Sequence, residues 1–507
     1  MAQKVTAYPP GRLAQTSYSS LSQTDYNGAS WKSYPGQLIS QALRSYPVPR
    51  FVSHVKPPLS FIAPNLDVNM VRLTYALLPL WMRWKTALTE VEATNLEELV
   101  SLYRQFQSGK IRMLLAFRHP SVDDPVCIGY TLSRLLPRTA QSMGVRFSDL
   151  IHAHFMYDRG IPLWAGSAMG WLYAKLGGTP IMRGKVDRTG LRSARDLLAN
   201  GRFPLLAAPE GGTNGHSELI SPLEPGLSQF GFWCVEDLQK AGRSEEVLIV
   251  PIGIQYKYIT PPWPAIEQLL SQLEADCGFK SDSQFGYDTL DEALYRRMYR
   301  LGEHLLSIME EYYQRFYHQD IPPYATVNGN PNERFGKRLS TLLDIALKVA
   351  ERDFNLQPRG TVIDRCRRLE QAAWDAIHRE DLNLESLSAV ERGLADRIAE
   401  EASFRIWHMR LVETFVAVTG QYVREKMTVD RFAETLILMW EMIAKIKGEQ
   451  PGFDTPKLGK QRAYLTIGQP ISVSDRWADY ARDRKSAKQA VATLTQDLQT
   501  ALESMIR

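Results

Sequence analysis

Three stretches of this chain are apolar at nearly every position: Ile111–Phe117, 203–208 and 247–254. Each is too short for a helix and suits a strand buried on both faces of a sheet. Between them the apolar positions take up helical spacing. Leu191, Ala194, Leu197 and Leu198 fall at i, i+3, i+6 and i+7, and Asn200-Gly201 closes that helix just before the next strand. Leu227, Phe230, Cys234 and Leu238 mark a second helix, closed by Gly242. This alternation predicts an α/β fold over 51–261, a mostly parallel sheet covered by helices.

Beyond 262 the rhythm changes. Residues 262–450 are helical in pattern and rich in Trp and Arg, as in 431–447, where Phe432, Leu436, Met439, Met442, Ile443 and Ile446 form one apolar stripe. Such a stripe is more often core than a lipid groove. A Gly/Pro-rich linker (448–459) leads into a strand-like run, 463–467, and a helix carrying Val491, Leu494, Leu498, Leu502 and Met505. This tail is expected to rejoin the first sheet. On that reading 262–450 is a large helical insertion, and 451–507 supplies the closing strand and helix of the α/β domain. Residues 1–50 are rich in Ser, Tyr, Gln, Gly and Pro, with too little aliphatic content to offset chain ordering, and are read as a disordered tail.

Composition narrows the function classes. The 507 residues are 44% hydrophobic and carry a formal net charge of +4, which gives no support to nucleic-acid binding. Cys127, Cys234, Cys277 and Cys366 are scattered without a CxxC pair, and His152-x-His154 offers two ligands at most, so no metal site is expected. No run reaches the ~18–20 apolar residues of a spanning helix, and no charged-then-apolar leader opens the chain. The expected location is the cytoplasmic side. The segment 70–85 is rich in Leu, Met and Trp, interrupted by Arg72, Pro79 and Arg83. It reads equally as a helix in the membrane interface or as one packed on the domain; the basic residues between 44 and 85, facing only Asp67, favour peripheral membrane contact.

The candidate chemistry begins at FRHPSVDDP, 117–125. His119 follows a buried strand at its carboxyl end, where ligand crevices open in parallel sheets. Asp124, five positions on, is placed to accept one ring N–H, fix the tautomer and leave the other nitrogen as a general base toward a bound hydroxyl. The bland alternative is that Asp123 or Asp124 caps the next helix. A second strand end runs into Pro209-Glu210-Gly211-Gly212-Thr213-Asn214-Gly215. Glycine-rich chain there exposes N–H groups to phosphate oxygens, and Glu210 can accept from acceptor hydroxyls. Between the two, Arg183 closes an apolar run beside glycine, a placement suited to a phosphate.

The order His-x-x-x-x-Asp, then Gly-x-x-x-Ile-x-Arg-like, then Pro-Glu-Gly, then an apolar strand containing Pro251, resembles the glycerol-3-phosphate and lysophosphatidate (1-acylglycerol-3-phosphate) acyltransferase family. The resemblance covers about 70–260 and about 460–505. PEGGTNGHSELISPLEPG looks most like the glycerol acyltransferases of cyanobacteria. It implies an O-acyltransferase that moves a fatty acyl group from a thioester, on coenzyme A or acyl carrier protein, to a lysophosphatidate-like hydroxyl. His119 would be the base and Asp124 its orienting partner. Arg183, Glu210, Gly211, Gly212 and Thr213 would bind the acceptor, and Pro251 would shape the pocket. No metal or bound cofactor is implied; the thioester is a cosubstrate. The family's third block usually reads Pro-Glu-Gly-Thr-Arg-Ser, and its arginine is absent here. Arg183 with Lys185 and Arg188 would then compensate, or the acceptor is another, non-phosphate lipid alcohol. A non-catalytic membrane- or partner-binding protein on the same scaffold is the rival from another class. No Gly-x-Ser-x-Gly elbow suggests a serine hydrolase.

Overall fold

The computed structural model describes residues 54–182, 187–279, 289–323, 329–415, 420–449 and 455–506. The first expected segment, 1–50, and Arg183 lie outside these. The chain from Val52 onward forms one compact unit around an eight-stranded mixed sheet, most of whose pairings are parallel. In chain order the first elements are α1 (Val68–Lys85), β1 (Leu88–Thr94), α2 (Leu96–Gln107), β2 (Ile111–Phe117) and α3 (Asp124–Tyr130). A wider turn at Thr131–Leu135 joins α3 to α4 (Leu136–Ser142). There follow β3 (His154–Asp158), α5 (Ile161–Ala165), α6 (Ser167–Lys175), β4 (Gly178–Ile181), α7 (Arg188–Asn200), β5 (Leu205–Ala207), α8 (Gly226–Lys240) and β6 (Glu246–Tyr258). The helices α9 (Trp263–Asp276), α10 (Leu290–Tyr317), α11 (Pro331–Asp353), α12 (Val362–Ile377), α13 (Ala389–Phe415), α14 (Tyr422–Glu425) and α15 (Val429–Lys447) precede β7 (Gln461–Ile467) and β8 (Ile471–Ser472). Two helices close the chain, α16 (Trp477–Arg482) and α17 (Arg484–Glu503).

The strand order is β1-β7-β6-β2-β5-β3-β4, with β8 beside β6. Strands β6, β2, β5, β3 and β4 run parallel, while β7 and β1 run the opposite way along one side. Strand β7 thus lies between β1 and β6, and the helical segment 263–447 is strung between two neighbouring strands.

Every residue of β2 is buried, because the sheet is covered on both faces. Ile111, Met113, Leu115 and Phe117 join one core with α2, α3 and α4. Leu114 and Ala116 join the other, with α7, α8 and α17. Polar Arg112 is tolerated among them because its guanidinium satisfies the carbonyls of Leu197, Leu198 and Gly201 at the end of α7. Gly201 itself is extended, not left-handed. A Cβ there would lie 2.3 Å from the Leu197 carbonyl oxygen, so close approach is what demands glycine.

Pro251 stands in a central strand, where a missing N–H usually costs a ladder bond. Here β6 changes partner: Leu248 and Ile249 pair with β8, while Ile252 onward pairs with β7. Pro251 sits at that break, buried opposite Ala116, and accepts from the Gly468 N–H at 2.9 Å. Its ring packs on Gly468, so the residue shapes the sheet behind His119.

The segment 263–447 has two cores of its own. It meets the sheet's loops at several points. Tyr258 N–H donates to Asp430, Ser217 N–H donates to Glu434 at 3.0 Å, and Trp374 fills the space beside Gly160. Glu434 is half-buried in this cluster, and desolvation pushes its pKa up to about 7 despite donation from Tyr422 and Ser217. A carboxyl whose pKa is raised on folding binds more protons folded than unfolded, so stability falls as pH rises from about 4.5 to about 7. Thermal melts of wild type and Glu434→Gln between pH 4.5 and 8 should show a smaller loss across that window in the variant. Parallel curves would remove Glu434 as a source of the pH dependence.

Candidate active site

Strand β2 feeds a helix on one face of the sheet, and its neighbour β5 leads to a helix on the other. Their loops therefore part at the shared carboxyl edge, the position where crevices form in such sheets. The β2 loop carries His119 and the β5 loop carries Glu210.

His119 Nδ1 lies 2.8 Å from Asp124 Oδ2. The imidazole is 22% exposed and the carboxylate not at all. A buried carboxylate needs donors, and this one has three. Oδ2 also accepts the Ser121 N–H at 3.0 Å, and Oδ1 accepts the hydroxyl of Tyr256. Asp123, at the start of α3, makes no side-chain capping bond. Helix capping is thus not what the Asp pair does. With Nδ1–H donating to the carboxylate, Nε2 is left as acceptor, and among the described residues it has no hydrogen-bond partner. Asp123 is pushed up to about 6, first by burial and then by the neighbouring Asp124 charge.

Tyr256 was not singled out in the sequence. It is fully buried on the same face as Cys127, and burial, reinforced by the Asp124 charge, pushes its hydroxyl well above the ordinary range. It therefore stays a donor to Asp124. A tyrosine inside a strand has to place its hydroxyl on an acceptor, which is the signal that could have found it.

Glu210 is placed differently from the expectation that it meets acceptor hydroxyls. It is 3% exposed, and both oxygens are engaged within the protein. Oε1 accepts the His119 N–H at 2.9 Å; Oε2 accepts Asn214 Nδ2 and the Ser221 N–H, each at 2.9 Å. Its pKa is raised by burial, against the pull of Arg118. Arg118 is 1% exposed and is spent on the carbonyls of Ser217, His216 and Leu219. Glu210 and Arg118 thus lock the 210–219 loop to the strand end that presents His119.

Within that loop the glycines divide. Gly211 has φ +70°, its N–H turns back to Ala208, and its carbonyl accepts Arg367 Nη2 at 3.0 Å from α12. The N–H groups of Gly212 and Thr213 have no acceptor among the described residues, and both residues reach solvent. Those two can meet an anion; Gly211 cannot. Arg367 does not make the loop cationic, since Glu370, Glu413 and Glu224 surround it. Arg188 is exposed at the first turn of α7. His152 and His154 bond internally, to Tyr75 and Leu176 and to Gly177, and no group of three metal-ligating side chains occurs among the described residues.

No protein-family model, curated protein or solved structure matches this chain. Its chemistry is therefore argued from the site itself.

Gly211→Ala should destabilise the loop. A left-handed non-glycine residue costs roughly 1–2 kcal/mol, and the new Cβ would stand 2.1 Å from Glu224 Oε1. Thermal melting should drop, and adding Glu224→Ala should recover part of the loss. A Gly211→Ala protein that melts like wild type would contradict the strain assignment.

Proposed function

We propose that the chain is an O-acyltransferase of glycerolipid acyltransferase-like fold, moving a fatty acyl group from an acyl thioester to the hydroxyl of a lysophosphatidate-like lipid at a membrane surface. The observation that carries the reading is the half-open imidazole of His119 on the fully buried carboxylate of Asp124, beside a loop with two uncommitted N–H groups. In the proposed step Nε2 takes the hydroxyl proton as the oxygen attacks the thioester carbonyl. Asp124 steadies the imidazolium. The tetrahedral intermediate then collapses, the C–S bond breaks, and the leaving sulfur takes the proton from His119. The thioester is carried by coenzyme A or acyl carrier protein, and no bound cofactor is required.

Helix α1 supports the membrane part. It buries Val71, Leu78 and Met82, and packs on α3, the helix that begins at Asp124. A second apolar stripe, Leu73, Leu77, Leu80, Trp81 and Trp84, faces solvent, with Arg83 and Lys85 in the last turn. Exposed apolar area of this kind with basic ends suits an interfacial helix. Pro79 removes one helical bond, and Arg134 Nη2 approaches the carbonyl of Tyr75 that is left over, at 3.4 Å. Among the described residues no helix is long and apolar enough to cross a membrane. The association proposed is peripheral, on the cytoplasmic side.

One observation favours a second acceptor class. Asn214, near the position of the family's arginine, turns its amide inward to Glu210 and the Leu219 carbonyl. Arg118 and Arg367 are committed elsewhere, so the described part of the 209–217 loop gains no uncommitted guanidinium. A lipid alcohol without a phosphate monoester would suit that arrangement as well.

With liposomes, an acyl thioester and lysophosphatidate or a neutral lipid alcohol, the purified protein should form acylated product. His119→Ala should lower turnover roughly 10²–10⁴-fold. Tyr256→Phe, which strips one charged hydrogen bond from Asp124 worth about 1.5–3 kcal/mol, should lower kcat about 10–100-fold with KM little changed. Full activity in the alanine variant would rule out the base assignment.

Liposome flotation tests α1 separately. Leu77→Asn with Trp81→Asn lies on the exposed stripe and should leave folding intact while releasing the protein from vesicles. Undiminished flotation would remove α1 from the interface.

A further inference from the structure

The helical segment contains a cavity that the site chemistry does not use. It measures about 110 Å³ and lies on the seam between the segment's two cores: Leu305 and Met439 belong to one, Leu306 and Leu339 to the other. Its wall along α10 runs from Tyr295 to Met309. Fourteen residues of helix rise roughly 20 Å. An apolar space bordered over such a length suits an extended hydrocarbon chain.

The lining chemistry is hydrocarbon-like. Met298 and Met309 of α10 and Met439 and Met442 of α15 line it, and thioether side chains repack readily around flexible apolar guests. Most polar side chains on the wall are spoken for. Tyr422 donates to Glu434 and Tyr295 to Asn332, and His216 Nδ1 bonds the Asn214 carbonyl. Burial pushes His216 down to about 4, so that wall carries no charge at neutral pH.

Position ties the cavity to the crevice. His216 is one of its walls, and Leu438, another, lies 2.9 Å from where a Cβ on Gly215 would stand. That same loop begins at Glu210, whose carboxylate holds the backbone of His119. The apolar stripe on α15 is therefore both core, through Leu436 and Ile443, and cavity wall, through Met439 and Met442.

We propose that this seam is the binding site for the hydrocarbon chain of a substrate, entered from the 210–219 loop, so that the helical segment measures chain length. The assignment rests on the acyl-transfer reading for which substrate owns the chain, but not for the binding itself. Full-length protein should bind parinaric acid, a fluorescent fatty acid. Met442→Trp, which fills the space, should weaken that binding at least tenfold, and His119→Ala should bind like wild type. On the unaltered chain, a diazirine-bearing fatty acid should label peptides of α10 and α15.

Unchanged affinity in Met442→Trp, or label confined to other helices, would overturn the proposal. With acceptor fixed and donor chain varied, a shift to shorter donors in Met442→Trp assigns the chain to the thioester. The same shift with donor fixed assigns it to the acceptor, and a shift in neither overturns the length-measuring role. A wild-type protein that binds and is labelled as described, yet transfers no acyl group, would sink the acyltransferase reading and leave the binding site standing.

Discussion

A carboxylate with no solvent contact organises this molecule's candidate chemistry. A carboxylate inside the protein requires donors on every side, and Asp124 draws them from three places. His119 comes from the end of β2, Ser121 from the turn after it, and Tyr256 from β6. Parallel pairing of β2 with β6 brings the tyrosine to that spot, with Phe117 in register with Ile252. The orientation of the imidazole is thus a property of the sheet, not of the loop alone.

A second buried carboxylate does the same for the opposite wall. Glu210 joins the His119 backbone to Asn214 and Ser221, and Arg118 gathers three carbonyls of the following turn. The helical segment then fastens the loop from outside, through Arg367 on Gly211, Glu434 on Ser217 and Leu438 against Gly215. The loops are thus pinned at their base, while the apolar seam adds adaptable methionines to its leucines. Rigidity near a reacting atom and plasticity near a hydrocarbon chain are the two demands of the proposed reaction.

The exposed stripe of α1 and the seam within the helical segment are two separate apolar features. In the proposed reaction the stripe would meet a bilayer and the seam would take one chain. Both adjoin the carboxyl edge, α1 through α3 and the seam through the 210–219 loop.

Much of the α/β frame could be read from the sequence, because burial on both faces writes itself as nearly continuous apolar runs at Ile111–Phe117 and around Val250. The His119–Asp124 pairing was legible too, since both residues sit on one short connection whose geometry the strand end and helix start dictate. What the sequence left open was every partner that arrives from afar. Tyr256 lies 132 positions from Asp124 and Arg367 lies 156 from Gly211, and no local periodicity encodes such meetings. Glu210 looked available to a ligand because its neighbours are glycines, yet tertiary packing turned it inward, since an acid covered by the Arg118 and Asn214 contacts is satisfied there. Local pattern decides which residues form strands, helices and turns; only the assembled sheet and the helices laid over it decide which polar groups remain free for chemistry.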